Sequence, residues 1–112
     1  MKVKKRVKDA LDGIQASFAR ASTVFPRVRY FEYLEQPELF EDGLEDARGH
    51  YIQVDVFSRD NATSLIDEIM VKMEAAGFDF LDAEDLSEDD AQVYQRTLRF
   101  FYLEERGKDN GN

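Results

Sequence analysis

The chain reads as a two-layer α+β domain of order α-β-β-α-β-β, with four largely antiparallel strands and two helices on one face of the sheet. Three observations predict it. The hydrophobic period switches between two and about 3.6 residues along the chain in that order. Two segments carry an apolar stripe at spacings of three and four, and four carry alternation. At 112 residues there is room for one core, burying roughly two-thirds of the unfolded surface.

Val3, Val7, Ala10, Leu11, Ile14 and Phe18 recur at helical spacing. This predicts a first amphipathic helix from about Lys4 to Arg20, weakened at Gly13. Pro26 ends that region, because it disfavours helix in Phe25 and cannot itself continue one. Arg27 to Glu35 then alternates, with Arg29, Phe31 and Tyr33 on one face and Val28, Tyr30, Glu32 and Leu34 on the other. Aromatic surface on both faces means a strand that is covered twice or awaits a partner.

Between Gln36 and Gly49 the chain is too long for a tight hairpin, and loops of this length are functional or disordered. Glu38, Glu41, Asp42, Glu45 and Asp46 alternate there with Leu39, Phe40 and Leu44. Two readings stand: an unstructured acidic hairpin loop, or an assembly loop that orders when its three apolar residues meet another subunit.

Tyr51 to Phe57 alternates again, placing Ile52, Val54 and Val56 on one face and Tyr51, Gln53, Asp55 and Phe57 on the other. After Asp60-Asn61, either of which can cap a helix, Ala62, Leu65, Ile66, Ile69, Met70, Met73 and Ala76 form the second apolar stripe. Gly77 supplies the left-handed residue that stops it. Phe78 to Asp82 begins a third strand. The acidic run Asp82 to Asp90 resembles a calcium loop, but it has no glycine at the turn position, so it reads as a solvated turn between antiparallel strands. Gln92 to Glu104 is the last strand, with Leu98 and Phe100 on one face and Thr97, Arg99 and Phe101 on the other. Residues 1 to 105 make one domain, and 106 to 112 read as a polar tail without fixed structure.

Packed this way, the second helix covers Ile52, Val54 and Val56, and the first covers the neighbouring sheet. Nothing remains to cover the face that carries Asp55 and Phe57. Asp is disfavoured in the middle of a strand. A cross-strand ion pair to Arg96 or Arg99 of the last strand explains it, and direct contact with a partner is the alternative.

The composition narrows the function. No Cys is present, which removes disulfides, thiolate metal sites and cysteine nucleophiles. His50 is the single histidine, so it reads as an ordinary, partly exposed side chain rather than half of a catalytic or metal pair. No phosphate loop or nucleophile elbow occurs, and no cofactor is called for. The abundant carboxylates show no apolar pocket that would make one of them an acid catalyst. No run of 18 or more apolar residues and no signal peptide is visible, so the reading is a soluble protein made in a cytoplasm, without membrane. Net charge is −9, yet the first eight residues carry +5, leaving −14 on residues 9 to 112. A body this acidic repels phosphate, which argues against sequence-specific nucleic-acid binding. The lysine cluster reads as a solubilising helix start, with contact to nucleic acid or an acidic protein partner as the alternative.

Three stretches carry a family resemblance. Tyr51-Ile52-Gln53-Val54-Asp55-Val56-Phe57-Ser58 leads into a helix that ends Ala75-Ala76-Gly77-Phe78. Asp85-Leu86 and Val93-Tyr94-Gln95-Arg96-Thr97-Leu98-Arg99-Phe100 follow. Together they resemble tail-completion proteins of long-tailed, non-contractile bacteriophages, over about Val24 to Leu103. The resemblance implies a virion protein at the tail or head-tail junction, without catalysis. Such a subunit caps the tail tube and helps join it to the head, assembling with itself as a ring, commonly a hexamer, and with tail-tube and head-completion proteins. It carries over no catalytic residue, only Asp55, Arg96 and Arg99 in the sheet. An acidic loop facing a channel would then keep passing DNA off the wall. The rival class is a cytoplasmic acidic binding module, an inhibitor or DNA mimic seated in a basic groove.

Overall fold

The computed structural model describes residues 3–19, 24–38, 47–87 and 92–105. Within the expected assembly loop only Glu38 is described. Leu39, Phe40, Glu41, Asp42, Leu44, Glu45 and Asp46 lie outside the described residues, as does the tail from 106 to 112.

Six elements follow in the predicted order: α1 (Val3–Ala10), β1 (Arg27–Glu38), β2 (Ala47–Ser58), α2 (Thr63–Ala75), β3 (Asp79–Asp85) and β4 (Tyr94–Glu105). The strands make one antiparallel sheet in the order β1-β2-β4-β3. Because β2 and β3 both run against the β4 between them, they are parallel to each other. α2 is therefore the crossover of a split β-α-β unit.

The core lies between the helices and one face of the sheet. Val28 of β1, Ile52, Val54 and Val56 of β2, and Leu98 and Phe100 of β4 meet Ile69 and Met73 of α2 and Val3 and Val7 of α1. The registers Val28↔Val56, Val54↔Leu98 and Ile52↔Phe100 put these residues in rows across the sheet. The predicted stripe of α2 thus faces the predicted row of β2.

α1 is shorter than its apolar spacing predicts. It stops at Ala10, and Gly13 takes a φ of 87°. Leu11 and Ile14 are buried all the same, from the turn that follows, so the spacing outlasts the helix. Beyond it the chain runs alongside β1: Ser17 donates its N–H to the Pro26 carbonyl at 2.9 Å and accepts from Val28 N–H at 2.8 Å.

α2 starts beside Asn61, whose side-chain oxygen accepts the Thr63 N–H at 2.8 Å. It ends in a Schellman motif, with Gly77 N–H on the Glu74 carbonyl and Phe78 N–H on the Met73 carbonyl, both at 3.0 Å. Phe78 and Met73 are buried together, the apolar contact that goes with that cap. Gly77 sits at φ 95°, and a Cβ there would meet the Tyr102 ring at 3.3 Å. Gly77→Ala is therefore expected to lose about 1–2 kcal/mol, read as a lower denaturant midpoint at unchanged slope.

Several strand assignments differ from the sequence expectation. Both ends of the expected Gln36 to Gly49 loop are strand, since β1 runs on to Glu38 and β2 starts at Ala47, pairing Gln36 with Gly49 and Pro37 with Arg48. β3 extends to Asp85, so Asp82, Glu84 and Asp85 belong to an edge strand and not to a turn. Their alternation with Ala83, which packs against the core, is what a half-solvated edge requires. β1 carries a bulge between Glu32 and Leu34, where Tyr33 and Leu34 together oppose Tyr51. The bulge resets the alternation and brings Glu32 and Glu35 to the same side of the sheet.

Candidate assembly surface

Among the described residues, no element packs on the sheet face opposite the helices. Phe31 and Tyr33 of β1, Tyr51 and Phe57 of β2, and Phe101 of β4 line it. Tyr33 and Tyr51 have ring centroids 6.0 Å apart, and Tyr51 and Phe101 5.0 Å apart. Gly49 lies on the same face of β2, and a Cβ there would come within 2.8 Å of both the Phe101 ring and the Glu38 carboxylate, so the missing side chain makes room for them. Tyr33 ties the row to β3 electrostatically. Burial pushes its phenol up, Arg99 opposes that, and Asp82 and Tyr51 reinforce it.

Asp55 sits at the centre of this face with no exposure. Oδ2 accepts from Arg29 Nε at 3.0 Å and Nη2 at 2.6 Å. Oδ1 accepts from Thr97 Oγ1 at 2.7 Å and Gln53 Nε2 at 3.0 Å. The partner is Arg29 of β1, which corrects the expected pairing with Arg96 or Arg99. Register explains the correction. The residue opposite Asp55 on β4 is Thr97, and Arg96 stands opposite Val56 on the helix side. Arg99 shares the open face but turns to β3, where Asp82 at 2.8 Å and Glu84 at 3.1 Å take its guanidinium. Those two bonds hold Arg99 charged beyond its ordinary range. The Arg29 guanidinium also lies 5.3 Å from the Phe57 ring centroid, and that of Arg27 lies 4.2 Å from it. The surface is thus an aromatic row with its arginines already engaged within the sheet.

His50 is the residue that sequence reasoning misjudged. It is buried, not partly exposed. Nδ1 lies 2.6 Å from Glu32 Oε2 and Nε2 lies 2.8 Å from Glu104 Oε1. Glu32, Glu35 and His50 stand close enough to share a cation. Their lone pairs are spoken for: both ring nitrogens face carboxylates, and Glu35 accepts from Arg48 Nε at 2.7 Å. The residues therefore do not form a metal centre as they stand.

A cleft beside the start of α2, about 620 Å³, is lined by Ser58, Arg59, Thr63, Asp85, Ser87 and Arg96. The Ser87 N–H and hydroxyl hold the Asp85 carboxyl below its usual range, which is turn capping.

The helices thus cover one sheet face and the other presents an aromatic row. The chain belongs to the family described as Tail completion protein gp17, whose model matches residues 5–104. It is accordingly a structural protein of a bacteriophage tail and a component of the virion. No curated protein matches the chain. The match spans all six elements, so it covers the N-terminal helix that the motif resemblance left out.

Proposed function

We infer that this protein is a ring-forming subunit that caps the tail tube and helps join tail to head, acting by contact and not by catalysis. The observation that carries the reading is the open aromatic face, in a chain that belongs to a tail-completion family. Phe31, Tyr33, Tyr51 and Phe101 form one band there, and Asp55, Arg29 and Arg99 fix its backbone without reaching outward for partners. A neighbouring subunit or a tail-tube protein laid on that band removes apolar area from water, at roughly 25 cal/mol per Å². Enrichment in aromatic residues with internally engaged arginines is the composition of an interface core.

The deciding experiment is electron microscopy of particles assembled without this protein. Tails of abnormal length, or tails detached from heads, are the expected result, and normal particles would refute the reading. A point variant isolates the surface. Tyr33 is 42% exposed, so Tyr33→Thr, which keeps a strand-favouring residue and removes the ring, is expected to cost about 1 kcal/mol or less of folding stability. It should nevertheless fail to restore complete tails when supplied in place of the natural chain. Restoration at the natural level would remove Tyr33 from the interface.

A further inference from the structure

We propose that His50 is a proton-operated clasp that binds the ends of β1 and β4 to β2 and releases them when its ring loses a proton. This goes beyond the tail-joining role and does not depend on it. The geometry carries it. The imidazole lies in the middle strand, and Glu32 and Glu104 reach its two nitrogens from the strands on either side, at 2.6 and 2.8 Å. A carboxylate only accepts hydrogen bonds, so both contacts are made at once only if both nitrogens carry protons. A neutral ring has a single N–H. Loss of the proton therefore removes one bond and sets a nitrogen lone pair against a carboxylate in a site shielded from water.

The charged groups around the ring agree with this. From β1, Glu32 faces it directly and Glu35 stands opposite it in register, neutralised by Arg48 of β2. From β4, Glu104 faces it, and the Tyr102 ring lies 6.4 Å away with the Arg6 guanidinium of α1 4.6 Å over it. Arg6 in turn donates to the Ala76 carbonyl at the end of α2, at 2.8 Å, so the clasp abuts α1 and the end of α2. Burial pushes the Glu104 carboxyl up, but the bond from His50 and the neighbouring positive charge together leave it below its ordinary range. Its contribution is thus present above the normal carboxylate range and lost only in stronger acid. Past Glu35 and Arg48 the same two strands run out to Glu38 and Ala47, the two ends of the 39–46 connection, so release loosens its base.

Because His50 is the only histidine, its ring signals are unambiguous. Nitrogen-15 spectra of the ring and amide hydrogen exchange at Glu35, Arg48, Gly49 and Leu103 are to be followed on the full chain from about pH 5 to about pH 9. The expected result is a doubly protonated ring while these amides are protected. As the ring loses its proton, their exchange, corrected for intrinsic base catalysis, should speed up about tenfold or more. His50→Gln, which keeps an amide donor but does not titrate, should abolish that step while leaving exchange at Val54 and Leu98 slow. The proposal is overturned if the ring is singly protonated where the amides are fully protected. It also fails if deprotonation leaves their exchange unchanged, or if His50→Gln keeps the same pH step. Should that variant fail to fold, the ring and exchange signals of the natural chain decide alone.

Discussion

Phe100→Ala is expected to destabilise the protein by about 3–5 kcal/mol, a large part of the roughly 5–15 kcal/mol by which a domain of this kind is stable. Phe100 has no exposure and sits in a row between Ile52 of β2 and Phe80 of β3. Its ring meets the Phe80 ring edge to face at 5.8 Å. Phe80 itself is 39% exposed, so β3, an edge strand of mostly acidic residues, is held on the apolar side chiefly through this contact and Ala83. Alanine would leave a cavity under α2 and unpin β3 together. The β-branched Ile52 and Val54 of neighbouring β2 are too stiff to close the gap. The measurement is equilibrium denaturation. A fall in midpoint with a smaller slope would report partial release of β3 in the native state, and a loss under about 1 kcal/mol would take Phe100 out of the core.

The elements that sequence revealed best are those whose two signals agree. α2 has a stripe at helical spacing and a stop at Gly77 that operate as their chemistry requires, while its N-cap is Ala62 without a side-chain bond and Asn61 acts one residue earlier, on the Thr63 N–H. The faces of β2 and β4 were legible because burial on one side imposes strict alternation. The misreadings of Asp55 and His50 share one cause, which is pairing. Alternation assigns a residue to a face, but it does not say which residue lies opposite. Arg29, Arg96 and Arg99 were all available to Asp55, and only the register between β1 and β2, shifted further along by the bulge at Tyr33, selects Arg29. His50 was misread for the same reason. Its burial depends on Glu32 and Glu104, which lie 18 and 54 residues away, and a lone histidine gives no local sign of them. α1 shows the converse error, since apolar spacing there reports burial of Leu11 and Ile14 correctly but not the helix that was assumed to carry them. The open aromatic face was legible because it follows from face assignment alone.

Asp55→Ala is expected to cost about 3 kcal/mol, between the loss of a hydrogen-bonded charge and the breaking of a fully buried pair. The side chain has no exposure and receives four hydrogen bonds, so its removal strands the buried Thr97 hydroxyl, which must then lose its partner in a dry site. Arg29 limits the damage. Its side chain is 51% exposed, and once released it can turn to water, so the penalty stays below that of an orphaned buried cation. The same reasoning makes Arg29→Ala no milder, about 3 kcal/mol or more, because it leaves the buried Asp55 carboxylate without its cation and with only the Thr97 and Gln53 bonds. A double-mutant cycle over Asp55 and Arg29 separates the pair from its surroundings, and contact at 2.6 Å predicts clear coupling. The outcome also decides what the charge is for. If Asp55→Ala weakens folding and assembly in proportion, the carboxylate acts by holding β1 to β2 and β4 beneath the aromatic row. If the variant is as stable as the natural chain yet cannot join tails to heads, Asp55 instead touches a partner.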